Sequence, residues 1–280
     1  MARPFQLIDV FGVEGFSGNP LAVVAAAEDL DADAMLTITR WLNFSETTFL
    51  LPPTDPAADY RVRIFCPPRE LPFAGHPTLG SCHAWLEAGG LPKRGGYVVQ
   101  ECGAGLVTLR RDPDGLAFAA PPLRRSGPID EAELATIAKL LRIDRAEIVA
   151  SQWACNGPEW AAVMLKSADA VLALDPVRAW DGPIEVGVVG PHAPGGDAAF
   201  EIRALFADQN GALVEDPVTG SLNAAVAQWL LGAGLASAPY VAAQGTRLGR
   251  TGRVRIDQDD DGVIWVGGKT ETLFSGEALF

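Results

Sequence analysis

The sequence predicts an α+β fold of two pseudo-symmetric domains, each a curved, barrel-like antiparallel sheet around a central α-helix. Three observations support this prediction. Short strand candidates outnumber helix candidates, a stretch of the first half recurs in the second half, and the recurring stretch is typical of a helix that is apolar nearly all round.

Strand and helix candidates alternate with turn residues along the chain. Apolar residues at helical spacing, with acidic residues near the start, predict helices over 29–44 and 130–143. Runs rich in β-branched and aromatic residues predict strands. The strand candidates cover residues 5–11, 14–24 (opened by a Gly-Asn-Pro turn), 47–51, 60–65, 97–102, 105–111, 159–165, 184–190, 199–206 and 263–268.

A change of composition marks the boundary between the two predicted domains. Residues 121–128, PPLRRSGP, have the composition of a linker. The predicted domains are therefore residues 1–120 and 121–280. A C-terminal strand near 268–280 that returns to the first domain remains an alternative.

An internal repeat predicts the architecture within each domain. GSCHAWLEAGGL (80–91) aligns without gaps with AAVAQWLLGAGL (224–235), so that Trp85 matches Trp229. In the same register, the Gly/Pro stretch 72–78 lies opposite 216–222. Chance similarity between two Ala/Gly-rich helices is the alternative explanation. A helix that is apolar nearly all round is not a surface helix, and small side chains let strands wrap it closely.

Charge and composition exclude several classes of function. The 280 residues carry 22 Lys+Arg against 35 Asp+Glu, a formal net charge of -13, and the arginines are scattered among acids. We therefore expect no nucleic-acid partner. No secretory signal begins the sequence, and no apolar stretch approaches the ~20 residues that cross a bilayer, so no membrane partner is expected. The four cysteines form no C-x-x-C pair, which argues against a zinc site and favours reduced thiols in a cytoplasmic protein.

The two repeat-related Gly/Pro loops carry the first candidate site residues. His76 and Asp216 lie in these loops, and Ser221 begins the second helix. Helix N-termini attract carboxylates, so two such helices facing one cleft would bind a small anion. Asp216 and Ser221 also suit ordinary turn or capping roles. His76 is harder to explain by packing, because a buried imidazole needs partners.

Glu46 is the candidate proton carrier. It lies in NFSETTFL, at a predicted helix-to-strand junction among apolar neighbours. Burial disfavours the charged form of a carboxyl group and raises its pKa, which suits proton transfer at neutral pH. A helix cap or a surface acid is the simpler interpretation of Glu46 taken alone.

Four ordered motifs resemble one known family. They are DVF…GNPLAVV, NFSETTFL, FCPPRELPFAGHPTLG and EDPVTGSLNAAVAQWL, and the resemblance runs from residue 5 to the C-terminal segment. Together they resemble the PhzF-like family of phenazine-biosynthesis isomerases. This resemblance implies the fold of diaminopimelate epimerase, with the active site in the cleft between the domains. It also implies a homodimer that uses no metal and no organic cofactor.

The resemblance also implies roles for individual residues. In the biosynthetic member, a glutamate moves a proton between carbons of a dihydro-hydroxyanthranilate, and Glu46 occupies that position. The implied catalytic residues are Glu46, His76 and Asp216. The implied substrate-binding residues are Asn19, Gly75, Pro77, Thr78, Thr219, Gly220 and Ser221.

The sequence departs from related patterns in two places. Diaminopimelate epimerase and proline racemase use one cysteine at each helix start, where Ala74 and Pro217 stand here. Family members that catalyse the isomerase reaction often carry a histidine and a cysteine after the Gly-Ser pair, where Leu222 and Asn223 stand here. The two-thiol mechanism is therefore excluded, and the substrate is not carried over from the family.

The expected activity is that of a cofactor-independent isomerase. Glu46 would move a proton between carbons of a small carboxylate like trans-2,3-dihydro-3-hydroxyanthranilate. Two alternatives remain, a racemase or epimerase on the same fold and a non-catalytic protein that binds a small carboxylate. Arg247, Arg250 and Arg253 lie in a predicted loop and strand as exposed basic residues, and an anion-binding role for them stays open.

Overall fold

The chain forms two compact α+β units. The computed structural model describes residues 2–113 and 115–280. Unit 1 comprises Met1–Ala119 and Gly267–Phe280, and unit 2 comprises Ala120–Val266. The C-terminal segment from Gly267 onward belongs to unit 1. This is the arrangement of the alternative in which a strand near 268–280 returns to the first domain. In the described part of the chain, no helix is both long and apolar enough to cross a membrane.

Unit 1 is a mainly antiparallel sheet with two helices. Its elements are β1 (Ala2–Val10), β2 (Asn19–Val24), α1 (Ala32–Leu42), β3 (Thr47–Leu51), β4 (Tyr60–Cys66), β5 (Arg69–Leu71), α2 (Gly75–Glu87), β6 (Tyr97–Cys102), β7 (Gly105–Asp112) and β8 (Gly115–Ala119). Neighbouring strands pair antiparallel except β2 with β3 and β4 with β6, which are parallel.

Unit 2 repeats this plan. Its elements are β9 (Arg125–Gly127), α3 (Glu131–Leu141), β10 (Ala150–Cys155), β11 (Ala161–Met164), α4 (Ala168–Ala173), β12 (Glu185–Pro191), β13 (Phe200–Ala207), β14 (Leu213–Asp216), α5 (Gly220–Gly232), β15 (Tyr240–Gln244), β16 (Gly252–Gln258) and β17 (Ile264–Gly268). The chain leaves unit 2 within β17 and ends in β18 (Thr270–Leu279), which pairs antiparallel with β1.

The pairing pattern of unit 2 matches that of unit 1. Three neighbouring pairs are antiparallel, namely β10 with β11, β12 with β13, and β13 with β14. Two pairs are parallel, namely β11 with β12 and β13 with β15. Along the chain, a helix comes between the two strands of each parallel pair. Such a crossover connection lets the second strand run in the same direction as the first. The sequence predicted curved antiparallel sheets, and it gave no sign of the two parallel pairs that each unit also contains.

The repeat-related helices α2 and α5 are the buried helices of their units. Helix α2 packs against β1, β2, β3, β4, β6, β8 and β18, and α5 packs against β10 and β16. Both begin with a glycine, Gly75 and Gly220. The gap-free alignment instead paired Gly75 with Thr219, so it placed the two helix starts one residue out of register.

The outer helices cover separate apolar clusters. In unit 2, α3 and α4 pack on β11, β12 and β13 through a cluster that includes Ile137, Leu141 and Val188. In unit 1, α1 packs through Met35 on Phe49 and Phe65. These clusters lie beside the central helices and keep the sheet between two apolar layers.

Short elements account for most differences from the sequence prediction. The predicted linker 121–128 contains β9, which pairs with β10. The strands β5, β8, β10, β14 and β15 and the short helix α4 were not predicted, whereas β18 corresponds to the strand expected near 268–280. In the basic segment, Arg247 lies in a 3-10 turn and is exposed, Arg250 is half-buried, and Arg253 forms an ion pair with Asp197 at 2.8 Å.

Two glycine substitutions test how closely the strands approach α2. A Cβ at Gly80 would lie 2.5 Å from Leu21 Cδ2 and 3.1 Å from Val10 Cγ2, whereas a Cβ at Gly232 of α5 meets no atom within 4 Å. We expect Gly80→Ala to lower the free energy of unfolding by about 1–3 kcal/mol through overpacking. Gly232→Ala should leave it unchanged or raise it by up to ~1 kcal/mol. Chemical denaturation measures both, and equal effects would contradict close packing at Gly80.

Candidate functional site

Unit 1 brings three of the predicted site residues together. Asn19 begins β2, Glu46 lies between α1 and β3, and His76 is the second residue of α2. The His76 Nδ1 atom lies 3.5 Å from Glu46 Oε2 and 3.4 Å from Asn19 Nδ2. We call this group of three side chains the N-terminal half-site.

His76 lies in a helix, where the sequence analysis placed it in a loop. Helix α2 begins at Gly75, so His76, Pro77 and Thr78 all belong to its first turns. Proline is tolerated there because the first N–H groups of a helix have no partner within the helix. The two glycines and two prolines of this stretch masked the helix start.

Burial keeps the His76 imidazole neutral. The residue is 3 % exposed, and this burial lowers its pKa to about 3, against a smaller opposing effect of the Pro20 backbone. A neutral imidazole has one donor and one acceptor nitrogen. Its Nδ1 can therefore accept a hydrogen bond from a carboxylic acid in one tautomer or donate a hydrogen bond to a carboxylate in the other, so the contact with Glu46 suits either state of that carboxyl group.

The Nε2 atom of His76 has no hydrogen-bond partner among the described residues. The atom is also buried. A buried polar atom of this kind is costly unless a ligand or water meets it. This atom is therefore a candidate contact for a bound molecule.

Unit 2 brings together Asp216, Thr219 and Ser221, which we call the C-terminal half-site. Asp216 ends β14, Thr219 is the N-cap of α5, and Ser221 is the second residue of that helix. The Thr219 hydroxyl donates to Asp216 Oδ2 at 2.5 Å. Asp216 and Ser221 are therefore not the cap of α5, and Thr219 directs its hydroxyl away from the helix.

Ser221 is held by two side chains of unit 2. The Trp160 indole N–H donates to Ser221 Oγ at 3.3 Å, and Asn156 Nδ2 donates to the Ser221 carbonyl at 2.9 Å. Because an indole can only donate, the Ser221 oxygen acts as the acceptor in this contact. Its own hydroxyl proton remains available for a ligand.

The two central helices differ electrostatically from the others. Helices α1, α3 and α4 have side-chain N-caps at Asp31, Asp130 and Ser167, and each has an acidic residue in its first turn. Helices α2 and α5 have neither a side-chain cap hydrogen bond nor a first-turn acid. No residue of their own first turns compensates the partial positive charge of these helix starts, which suits the binding of a carboxylate.

Comparison with known proteins identifies the family. The family model described as "Phenazine biosynthesis-like protein" matches residues 8–279. The chain belongs to this family. It is also 33 % identical over 298 residues to Antisense-enhancing sequence 1 of Schizosaccharomyces pombe, with 98 % of each chain covered.

Other relatives give the fold and a class of activity. The trans-2,3-dihydro-3-hydroxyanthranilate isomerase of Pseudomonas aeruginosa is 46 % identical over 80 residues, or 29 % of this chain and 28 % of that protein. A PhzF family structure from Enterococcus faecalis has a TM-score of 0.79 at 23 % identity with full coverage of both chains. A hydroxyproline epimerase from Agrobacterium vitis has a TM-score of 0.58 at 12 % identity, covering 99 % of this chain and 92 % of that one. The predicted diaminopimelate epimerase-like α+β fold is thus confirmed, and the names of the relatives indicate isomerase or epimerase activity.

Neither central helix of this family member starts with a cysteine. The N-cap residues are Ala74 and Thr219, so Thr219 and not Pro217 immediately precedes the second central helix. Burial raises the pKa of each of the four thiols, Cys66, Cys82, Cys102 and Cys155. Among the described residues, no group of three or more His, Cys, Asp or Glu is arranged to hold a metal ion.

Sequence reasoning missed four residues whose side chains hydrogen-bond to the C-terminal half-site. They are Asn156, Trp160, Asn223 and Gln244, all buried in unit 2. The repeat held a signal for two of them. Asn156 lies in CNGPEWAAV as Asn19 lies in SGNPLAVV, and Gln244 is in the same gap-free register as Gln100.

The neutral state of His76 predicts how stability depends on pH. Its pKa is about 3 in the folded protein, against 6.5 for an unperturbed histidine. The unfolded chain thus binds the proton more readily, so stability present above pH 6.5 is lost as the pH falls toward 3. The loss is about 1.4 kcal/mol per pH unit from this group.

NMR of the imidazole and denaturation at several pH values measure this effect. We expect the His76 ring signals of the folded protein to stay unchanged from pH 8 to pH 5. A His76→Asn variant should show a shallower loss of unfolding free energy between pH 6 and pH 4, by about one proton. A His76 titration midpoint near 6.5 in the folded protein would contradict the neutral assignment.

Proposed function

We propose that this protein is a cofactor-independent isomerase of small carboxylates. Glu46 removes a proton from one carbon of the substrate and returns it to another carbon. His76 and Asp216 hold polar groups of the substrate, and Ser221 donates to its carboxylate. The observation that carries the proposal is the half-buried carboxyl of Glu46 beside the buried, neutral imidazole of His76.

The neighbourhood of Glu46 supports its role as a proton carrier. A base that must also act as an acid needs surroundings that tolerate both of its states. The Nδ1 atom of His76 provides this, because a neutral imidazole accepts from the acid and donates to the carboxylate. A permanently charged partner such as arginine would favour only the carboxylate.

The central helices support the choice of a carboxylate substrate. The starts of α2 and α5 have neither capping side chains nor first-turn acids. Gly75, Gly220 and Ser221 bring backbone N–H groups to these starts, and Pro77 and Thr78 complete the first turn of α2. A carboxylate at such a position gains from both hydrogen bonds and the helix dipole.

The proposed reaction is balanced without a further reactant. The Glu46 carboxylate takes one proton and becomes a carboxylic acid, and the electron pair of the broken C–H bond remains in the substrate. Delivery of a proton from the Glu46 carboxylic acid to a second carbon, with the electron pair of the substrate forming the new C–H bond, restores the carboxylate. No electron acceptor, metal or organic cofactor enters this sequence.

The named relatives support a cyclic amino-carboxylate as the first substrate to test. Trans-2,3-dihydro-3-hydroxyanthranilate isomerases are 46–48 % identical to this chain over 80 residues. Leu222 and Asn223 depart from the pattern that the resemblance associates with that reaction. Other small carboxylates are therefore the next candidates. The homodimer and the cytoplasmic location stay predictions, which light scattering and cell fractionation would test.

Turnover in deuterated buffer tests the proton carrier. We expect conversion of trans-2,3-dihydro-3-hydroxyanthranilate to a product that carries deuterium at carbon. NMR monitors both the conversion and the deuterium content. Glu46→Gln should lower kcat by on the order of 10²–10⁴-fold, because the amide cannot carry the proton. The matched control is Glu28→Gln, the same change at an exposed acid of unit 1, which should retain wild-type turnover.

Each outcome of this assay separates the proposed function from its alternatives. Full turnover by Glu46→Gln would show that another residue carries the proton. Inversion at one carbon without a change of constitution would establish a racemase or epimerase instead. Tight binding of small carboxylates with no deuterium exchange would establish a binding protein.

A serine substitution tests the binding of the carboxylate. Because the Ser221 hydroxyl proton is not used by Trp160, we expect it to donate to the substrate. Ser221→Ala should raise KM by about 10-fold with a smaller change in kcat, since a hydrogen bond to a charged group is lost. Steady-state kinetics measure both constants, and an unchanged KM would remove Ser221 from the proposed site.

A further inference from the structure

Two buried glutamines occupy matched positions in the two units. Gln100 lies in β6 and Gln244 in β15, the strands that follow α2 and α5. Both side chains are fully buried. Each donates its Nε2 proton to a threonine at the start of the central helix, Gln100 to Thr78 Oγ1 at 3.0 Å and Gln244 to Thr219 Oγ1 at 2.9 Å.

Gln244 has contacts on both ends of its amide. Its Oε1 accepts from the Thr219 N–H at 2.9 Å and from Asn223 Nδ2 at 2.8 Å, and its Nε2 also donates to the Asp216 carbonyl at 3.2 Å. Only the oxygen can accept from two N–H donors, and only the nitrogen can donate to a carbonyl. The orientation of the amide is therefore determined by its partners.

This orientation directs the Thr219 hydroxyl. Gln244 Nε2 donates to the Thr219 oxygen, so the single hydroxyl proton points elsewhere, to Asp216 Oδ2 at 2.5 Å. An N-cap threonine ordinarily accepts from the N–H groups of its own helix. Here that oxygen is occupied, which leaves the start of α5 without a side-chain cap.

We propose that Gln244 is a positioning residue for Asp216 and for the open start of α5, acting through the Thr219 hydroxyl. The proposal rests on the proposed function, which places Asp216 among the residues that hold the substrate. Gln100 makes the corresponding bond to Thr78, but its Oε1 accepts from the Tyr60 hydroxyl, and no carboxylate of the described residues is hydrogen-bonded to Thr78. The arrangement of Gln244 is thus particular to unit 2.

Two substitutions at Gln244 change its hydrogen bonds with little change in the shape of the side chain. Gln244→Met removes both hydrogen-bonding ends. Gln244→Glu replaces the Nε2 donor by an oxygen that takes the Thr219 hydroxyl proton for itself. We expect each to lower kcat/KM by on the order of 10- to 100-fold, because displacement of a substrate contact by a fraction of an ångström to 1 Å has that effect.

A double-mutant cycle tests whether Gln244 acts through Thr219. Thr219→Val removes the hydroxyl that connects Gln244 to Asp216, whereas Thr219→Ser retains it. We expect Gln244→Met to have a smaller effect on kcat/KM in the Thr219→Val background than in the Thr219→Ser background, and the direct bond from Gln244 to the Asp216 carbonyl accounts for the effect that remains. Additive effects of Gln244→Met and Thr219→Val would overturn the proposal.

A measurement without substrate separates this inference from the proposed function. The ¹³C NMR signal of the Asp216 carboxyl follows its titration in the folded protein. Without the Gln244 donor the Thr219 hydroxyl is no longer held on Asp216. A hydrogen bond donated to a carboxylate stabilises its charged form, so we expect the titration midpoint of Asp216 to be higher in Gln244→Met than in the wild type. An unchanged midpoint would overturn the inference even if the protein is an isomerase. A shifted midpoint with no turnover of any carboxylate would retain the inference and overturn the function.

The matched control is Gln228, a glutamine of the helix α5 itself. Gln228 lies on α5 away from its start and donates Nε2 to the Pro121 carbonyl. Gln228→Met removes an amide of the same size, and we expect kcat/KM to stay within about twofold of wild type. A loss equal to that of Gln244→Met would show a general effect of destabilising α5.

Discussion

The close approach of strands to the helix α2 is the constraint on which unit 1 depends. Seven strands of the unit contact this helix, and Gly80 leaves no room for a Cβ beside Leu21. A helix enclosed in this way has a buried start, so His76, its second residue, is buried as well. Burial then excludes the imidazolium and leaves a neutral ring beside Glu46. The chemistry proposed for Glu46 thus follows from the packing of small residues.

The same architecture serves different chemistry in unit 2. The second residue of α5 is Ser221, whose oxygen accepts from Trp160, and the carboxylate near the helix start is held by a threonine hydroxyl. A hydroxyl and a carboxylate with fixed donors suit binding, whereas a carboxyl beside a neutral imidazole suits proton transfer. The asparagines Asn19 and Asn156 show the same division. One contacts the imidazole of His76, and the other contacts the carbonyl of Ser221.

The sequence predicted the elements that depend on local composition. Strands such as β3 and β6 were predicted with the bounds that the structure has, because runs of β-branched residues between turns indicate strands. The start of α2 was missed, because glycine and proline are common both in loops and in the first turn of a helix. Gln244 was missed for another reason. Its contacts with Thr219 span 25 residues, and a glutamine in a strand has no local signature.

A single proton carrier has a stereochemical consequence that distinguishes it from a pair of thiols. A racemase must remove a proton from one face of a carbon and deliver one to the opposite face, which requires two groups. Glu46 alone, under the proposed function, works on the face where it lies and returns the proton to that same face. The buried His76 offers the carboxylic acid an acceptor that does not release the proton to water. Transfer should therefore retain part of the original hydrogen, so that product formed in deuterated buffer carries less than one deuterium per turnover. Complete exchange with solvent would instead mean that the proton leaves Glu46 before it is returned.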